Sequence, residues 1–487
     1  MKKPSIWMLT ILSTACVAVC SCVPKVRRAD VNSVVATPKT FSLSGEGRVP
    51  EKWWTVFGDA ELNKLIESAL KNNLDLIATW DRLAEARAAA RKSSAGLYPS
   101  LSGDAGASRT RSETHKGPGG PQSPLGTTYT SSFSLGLMAA YEVDLWGRVR
   151  STSEAAALDV MVSREDLDAA AITLTAEVAQ TWYRLLESRR QLDLLDSQVK
   201  TSRQVLELAQ LRFGLGKASA IDILQQQQQV ESRLAEKEQT HSARMVLEHQ
   251  LAVLLGKAPG RFTPGDGVMP ARLPELPATG LSADLVRRRP DVRSAHFRLA
   301  AANKRVAAAI ADRFPRVSLS LQAGTSTSKV RDLFDNWFAT LAANLTAPIF
   351  DGDLRAAEVD RTRAVASREL HTYAQKILTA IKEVEDALAR ESRQRKYIAS
   401  LDRQLELSRE VIAKTRQRYA NGDKAVDYLR ILAALESHQR LERSSILARR
   451  ELIGFRVGLY RALAGSVPGL VGDANAAPGN NKHEAPK

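Results

Sequence analysis

The stretch YEVDLWGRVR, residues 141–150, closes a run of alternating apolar and polar residues, FSLGLMAAYEV (133–143), and opens a tract of helical composition. A two-residue period passes into a helical one with no ordinary loop between them. Upstream, Phe133, Leu135, Leu137, Ala139, Tyr141 and Val143 fall on one face of a strand, and Ser132, Ser134, Gly136, Met138, Ala140 and Glu142 on the other. Downstream, Ser151 to Phe213 holds 63 residues without Pro or Gly, which spans about 95 Å as a helix. Within it Ala171, Val178, Leu185, Leu192, Val199, Leu206 and Phe213 recur every seventh residue. A strict seven-residue period means packing against neighbouring helices along the whole length, because an isolated straight helix lets the stripe drift. The strand is joined to a coiled-coil wall.

The chain is written twice. LRFGLGKASAIDIL (211–224) matches QRYANGDKAVDYL (417–429): Phe213 and Tyr419 lie 206 residues apart, as do Gly216 and Gly422, while Asp222 and Asp427 lie 205 apart. The 206-residue step carries the heptad row onto Ile377, Val384, Glu391, Ile398, Leu405, Ile412 and Tyr419. LYPSLSGDAGAS likewise matches RFPRVSLSLQAGTS. In the second copy Trp337, Ala339, Leu341, Ala343, Leu345 and Ala347 oppose Asn336, Thr340, Asn344 and Thr346, again with a strand's period. The helices reverse at FGLGKASAID and YANGDKAVD, where Gly and Asn allow the positive φ of a tight turn.

These periods divide the chain. A first repeat is expected at 60–256, with a helical stretch at 60–95, a strand pair at 97–144, a long helix at 151–213 and a return helix at 222–255. A Pro- and Gly-rich linker follows at 257–281. The second repeat covers 282–465, with a helical stretch at 282–312, a strand pair at 314–350, a long helix at 354–420 and a return helix at 427–463. Residues 466–487 read as a disordered tail.

The formal charge of +15 is spread along mixed-sign helices instead of gathered in a block, and aromatics are only 6%. That argues against nucleic acid as a partner. MKKPSIWMLTILSTACVAVCSC has the build of a secretory signal over residues 1–21, and all three cysteines lie within this stretch. VCSC resembles the bacterial lipobox, with Cys22 the lipidated residue; the segment 22–59 would then be a lipidated, extended N-terminus. Val23 is not the Asp that typically retains such lipoproteins in the inner membrane.

Two strands per repeat make four per chain, and amphipathic strands in a secreted bacterial protein suit an outer-membrane barrel. Single-chain barrels begin at about 8 strands, and open edges are not tolerated in hydrocarbon. Several copies must then share one barrel: two give about 8 strands, three about 12 with room for a conduit. The competing reading is a non-channel periplasmic coiled-coil lipoprotein whose hairpins fold onto its own helices. The occurrence of a strand pair at the same place in both repeats weighs against it.

YEVDLWGRVR, the entry WWTVFGDAELNKLIESALKNNLDL, LVRRRPDVRSAHFRLAAANKRVAAAIADRFPRVSLS and APIFDGDLRAAEV together resemble the outer-membrane factor family. These are the TolC-like efflux ducts, here in the lipoprotein branch that serves resistance-nodulation-division pumps. The resemblance implies a mainly α fold with a small β part: a long coiled-coil α-barrel plus a β-barrel of 12 strands shared by a homotrimer. It implies an outer-membrane location with reach into the periplasm, and partnership with a periplasmic adaptor and an inner-membrane pump. At the helix reversals it implies adaptor docking by Gly214, Leu215, Gly216 and Ala218 in one copy and Asn421 and Gly422 in the other. At the periplasmic aperture it assigns an acidic position to Asp427, closing contacts to Tyr419 and Lys424, and the next ring position to Arg430, which departs from an all-acidic ring. Asp144, Trp146 and Arg148 are read as packing and capping groups of the junction.

No catalytic constellation accompanies this pattern. The seven His residues are scattered, and there is no HExxH, CxxC, nucleophile elbow or phosphate loop. The expectation is a passive duct with no cofactor, no metal site and no enzymatic step; the cargo has no local signature.

Overall fold

The computed structural model describes residues 38–47, 50–114, 126–270, 272–280, 282–421 and 428–464. The elements in chain order are α1 (Ala60–Asn72), α2 (Leu74–Ser94), β1 (Ser100–Thr114), β2 (Gly126–Val143), α3 (Arg148–Gly214) and α4 (Ala220–Leu254). The second copy supplies α5 (Ser282–Arg288), α6 (Pro290–Ala311), β3 (Arg316–Thr327), β4 (Phe338–Thr346), α7 (Leu354–Ala420) and α8 (Tyr428–Leu463). The two long helices α3 and α7 have 67 residues each. No described helix is long and apolar enough to cross a membrane.

Two compact units cut across the two sequence repeats. The first comprises Leu83–Val162 and Ala295–Tyr373 and so gathers all four strands with the adjoining helix ends. The second comprises the described residues up to Arg82, Ser163–Ser294 and those from Ala374 onward. Each unit draws on both repeats.

In the first unit one antiparallel sheet runs in the order β1-β2-β3-β4. Register fixes its faces. Ala105 opposes Leu135, Leu135 opposes Thr325, and Leu137 opposes Ala323, while Leu321 opposes Leu341. The odd-numbered residues of β1–β4 therefore share one apolar face, and the other carries Ser102, Ser134, Ser320 and Thr340. Leu101, Leu137, Leu321, Leu341 and Leu345 on the apolar face are all exposed. β4 stops at Thr346, four residues short of the predicted 350, because Pro348 has no N–H for the ladder.

In the second unit the heptad row is the core. Ala171, Val178, Leu185, Leu192 and Val199 are buried, and so are Ile377, Val384, Ile398 and Leu405 in the other copy. The row opens toward the reversals, where Phe213 is exposed. Both stretches expected to be helical, 60–95 and 282–312, are helical but divided into two helices each. Asn73 leaves the helix and accepts the Leu76 N–H at 2.9 Å to cap α2, while its amide donates to Leu254 O at 3.0 Å. Pro290, which has no N–H to give, starts α6. The N-terminal segment also departs from extended chain: Trp53–Phe57 form a 3-10 turn with three buried aromatic rings, and Trp53 stacks on Tyr460 with centroids 5.8 Å apart.

Candidate functional site

The strand-to-helix junction is built from the stretch that opens the sequence. Asp144 Oδ1 accepts the Val149 N–H at 3.0 Å and Oδ2 the Arg150 N–H at 2.7 Å, which satisfies donors of the first turn of α3. Gly147 takes φ of 75°, a left-handed turn that side chains resist, and Gly352 does the same at the second junction with 57°. The Trp146 indole donates to Pro315 O at 2.7 Å and stacks on Phe314 at 4.9 Å. Arg148 grips Glu142 with contacts of 2.7 and 2.8 Å. Asp312 lies 3.9 Å from Arg148 and 3.3 Å from Arg355, and it also pairs with Arg316. One carboxylate thereby ties both junctions to the start of β3.

At the first reversal α3 ends in a Schellman turn. The Lys217 N–H donates to Arg212 O at 2.8 Å and the Gly216 N–H to Phe213 O at 2.9 Å, with Gly216 at φ 70°. Gly214, Leu215, Gly216 and Ala218 are brought together there, with Leu215 exposed and Ala218 half-buried. Ser219 opens α4 with a capping box: its hydroxyl accepts the Ile221 N–H at 3.0 Å and Asp222 accepts the Ser219 N–H at 2.8 Å. The counterpart of Asp427 in the first copy is thus spent on a helix cap.

At the second reversal Asn421 is exposed in the turn after α7, and Arg430 is exposed in the first turn of α8. Tyr419 lies beneath the Arg212 guanidinium, 4.5 Å from its ring centroid, so the ends of the two long helices meet through a cation–aromatic contact. The sequence flagged Tyr419 but not its partner, because nothing in the spacing of Arg212 marks it. Gly422, Lys424, Asp427 and Cys22 lie outside the described residues.

Charge is also buried in the helical wall. Glu391 sits in the heptad row and receives Arg456 at 2.6 and 2.8 Å; Arg456 is 0% exposed and also donates to Pro274 O and Glu275 O. Burial disfavours the Arg456 cation, but the hydrogen bonds and charge of Glu391 outweigh it and hold its pKa above the ordinary value. Glu165 and Asp168 on α3 are buried with raised pKa values, chiefly through loss of solvent and only partly offset by Arg293 and Arg164. Arg293 lies 2.6 Å from Glu165, while Asp168 Oδ1 has no hydrogen-bond partner. Among the described residues no group of three or more His, Cys, Asp or Glu is placed to hold a metal ion.

Residues 65–257 and 281–465 match the family described as outer membrane efflux protein. The chain is 31% identical over 451 residues to the pyoverdine export outer membrane protein OpmQ of Pseudomonas aeruginosa, covering 90% of this chain and 93% of that one. It is 29% identical to the cation efflux system protein CusC of Escherichia coli, covering 92% and 96%. Among solved structures, the outer-membrane channel OprN superposes with a TM-score of 0.80 at 27% identity, covering 92% of this chain and all of OprN. Two repeats with strand pairs at equivalent places, a shared four-stranded sheet and family matches across both halves lead to one assignment: the chain belongs to the outer membrane efflux protein family, the channel subunits of efflux systems.

Proposed function

We propose that three copies of the chain close one 12-stranded barrel in the outer membrane and form a passive exit duct, driven by an inner-membrane resistance-nodulation-division pump through a periplasmic adaptor. The observation that carries this reading is the four-stranded sheet with an exposed apolar face and free edges at β1 and β4. Hydrocarbon tolerates no open edge, so sister copies must supply the missing partners, and 12 strands leave a water-filled bore where 8 do not. Such a duct has no catalytic step and needs no cofactor. The proposed order along the chain is a leader at 1–21, a lipid-anchored segment at 22–59 modified at Cys22, and duct repeats at 60–256 and 282–465 joined by 257–281.

The reversals are proposed to dock the adaptor through Gly214, Leu215, Gly216, Ala218, Asn421 and Gly422, with Asp427, Arg430, Tyr419 and Lys424 lining the aperture. The Arg212–Tyr419 contact supports a closing role for Tyr419, because separating the helix ends breaks it. Relatives named for pyoverdine export and for cation efflux share similar identity with this chain, which fits a duct whose cargo is chosen elsewhere.

The test is ion conductance in planar bilayers together with heat-modifiable trimers in the outer-membrane fraction. Monomeric, non-conducting protein would overturn the reading. Asp427→Ala is expected to change resting conductance and weaken cation block, since three carboxylates in a narrow bore attract cations; unchanged values remove the acidic-ring assignment. Cys22→Ser is expected to abolish fatty-acid labelling while trimers still assemble.

A further inference from the structure

The apolar face of the sheet is not uniform. Near the β3–β4 connection it holds a recess of about 640 Å³. It is lined by the small residues Gly103, Ala105 and Ala323 with Leu135 and Leu137 of this face, and also by Asp104 and Phe338, whose positions alternate to the other face. Leu333, Phe334 and Trp337 from the connection form its rim. The rim is pinned in place: Thr325 Oγ1 donates to Leu333 O at 2.6 Å, which also consumes the one hydroxyl on this lining. Phe334 and Trp337 remain 81% and 77% exposed, as aromatic groups are at a bilayer interface.

Farther along β1 the same face turns basic. Arg109 and Arg111 share the parity of Gly103 and Ala105, and Arg109 lies four residues beyond Ala105, about 13 Å along the strand. The Arg109 guanidinium sits over Tyr129 at 5.1 Å, and Arg111 opposes Tyr129 in register while pairing with Glu113. Among the described residues no ion pair engages Arg109. The opposite face at these levels carries Ser108, Thr110, Thr130 and Ser132, so the cations point away from the proposed bore. Arginine on a lipid-facing strand is costly at mid-bilayer and nearly free at the interface, which sets Arg109 at headgroup level.

We propose that this face binds a phosphorylated, multiply acylated glycolipid of the outer leaflet, with an acyl chain in the recess and phosphate on Arg109 and Arg111. The inference rests on the reading that the apolar face meets the outer membrane. Guanidinium favours phosphate through paired, charge-assisted hydrogen bonds. A zwitterionic phospholipid brings an ammonium beside its phosphate and gains less from two arginines; a glycolipid bearing only phosphates gains more.

The purified full-chain oligomer in detergent is titrated with bisphosphorylated lipid A, dephosphorylated lipid A and phosphatidylethanolamine, with binding read by native mass spectrometry. Bisphosphorylated lipid A is expected to bind at least about tenfold more tightly than the other two. The pair Arg109→Ala and Arg111→Ala should erase that preference, Arg109→Lys should keep part of it, and Ala323→Trp should weaken both forms of lipid A by filling the recess. Equal binding of the two forms of lipid A, or arginine variants that match wild type, would overturn the proposal. Conductance of each preparation in planar bilayers separates the two levels: channels that conduct without lipid preference sink the lipid site alone, whereas preparations that neither conduct nor form trimers sink the duct reading beneath it.

Discussion

The two long helices are equal in length and share one heptad row, yet one position differs in kind. Leu185 in α3 becomes Glu391 in α7, 206 residues on, and both are buried. Carried along the 205-residue step of the return helices, Leu251 becomes Arg456, and both of these are fully buried as well. Where the first copy keeps two leucines, the second keeps a carboxylate and a guanidinium at 2.6 Å. The buried carboxylate is met by Arg456 and also by Arg395 one turn along, at 3.0 and 3.2 Å, and Arg456 further satisfies two linker carbonyls, Pro274 O and Glu275 O. A second swap runs the other way: Asp168 in α3 corresponds to Ala374 in α7, both buried, and here the acid has no hydrogen bond at Oδ1.

The largest expected effect tests the first swap. Glu391→Ala should destabilise the fold by about 3–5 kcal/mol, because Arg456 is left buried without its carboxylate. Glu391→Leu combined with Arg456→Leu, which recreates the first copy's pair, should recover much of that loss and leave about 1–3 kcal/mol for the two stranded carbonyls. Calorimetric or denaturant unfolding measures both, and a double variant no better than the single one would break the equivalence of the positions. Leu185→Ala should cost about 2–4 kcal/mol by leaving a cavity, with no dependence on pH or salt.

Smaller changes sharpen the comparison at the junction and in the wall. Asp144→Ala removes the acceptor for two N–H groups of α3 and should cost about 1 kcal/mol, seen as faster amide exchange at Val149 and Arg150. Asp168→Ala copies the second repeat. The Asp168 pKa is raised in the fold, so its charged form is penalised at pH values above that raised pKa and the penalty fades as pH falls below it. The variant should therefore melt about 2 °C higher at neutral pH, with the gain lost toward pH 4.

What was legible in the chain followed from covalent geometry. The period of two in FSLGLMAAYEV and of seven from Ala171 to Phe213 is set by how side chains leave a strand or a helix, so both could be read before any contact was known. The repeat, the four strands and the weld at YEVDLWGRVR came from the same source. Recognition of the reversals was equally local, since Gly216 needs a left-handed φ that few other residues accept. The partners of charged groups were another matter. Glu391 read only as one polar member of an apolar row, because Arg456 stands 65 residues away and only packing brings the two together. The contact of Arg212 with Tyr419 and the Asn73 break, capped for Leu76 and tied to Leu254, likewise depend on residues distant in the chain. Periodicity fixes which way a side chain points, whereas distance between elements decides what it meets; the sequence alone determined the strands, the wall and their joining, and tertiary structure decided which buried charges are paired and where the sheet face opens into a recess.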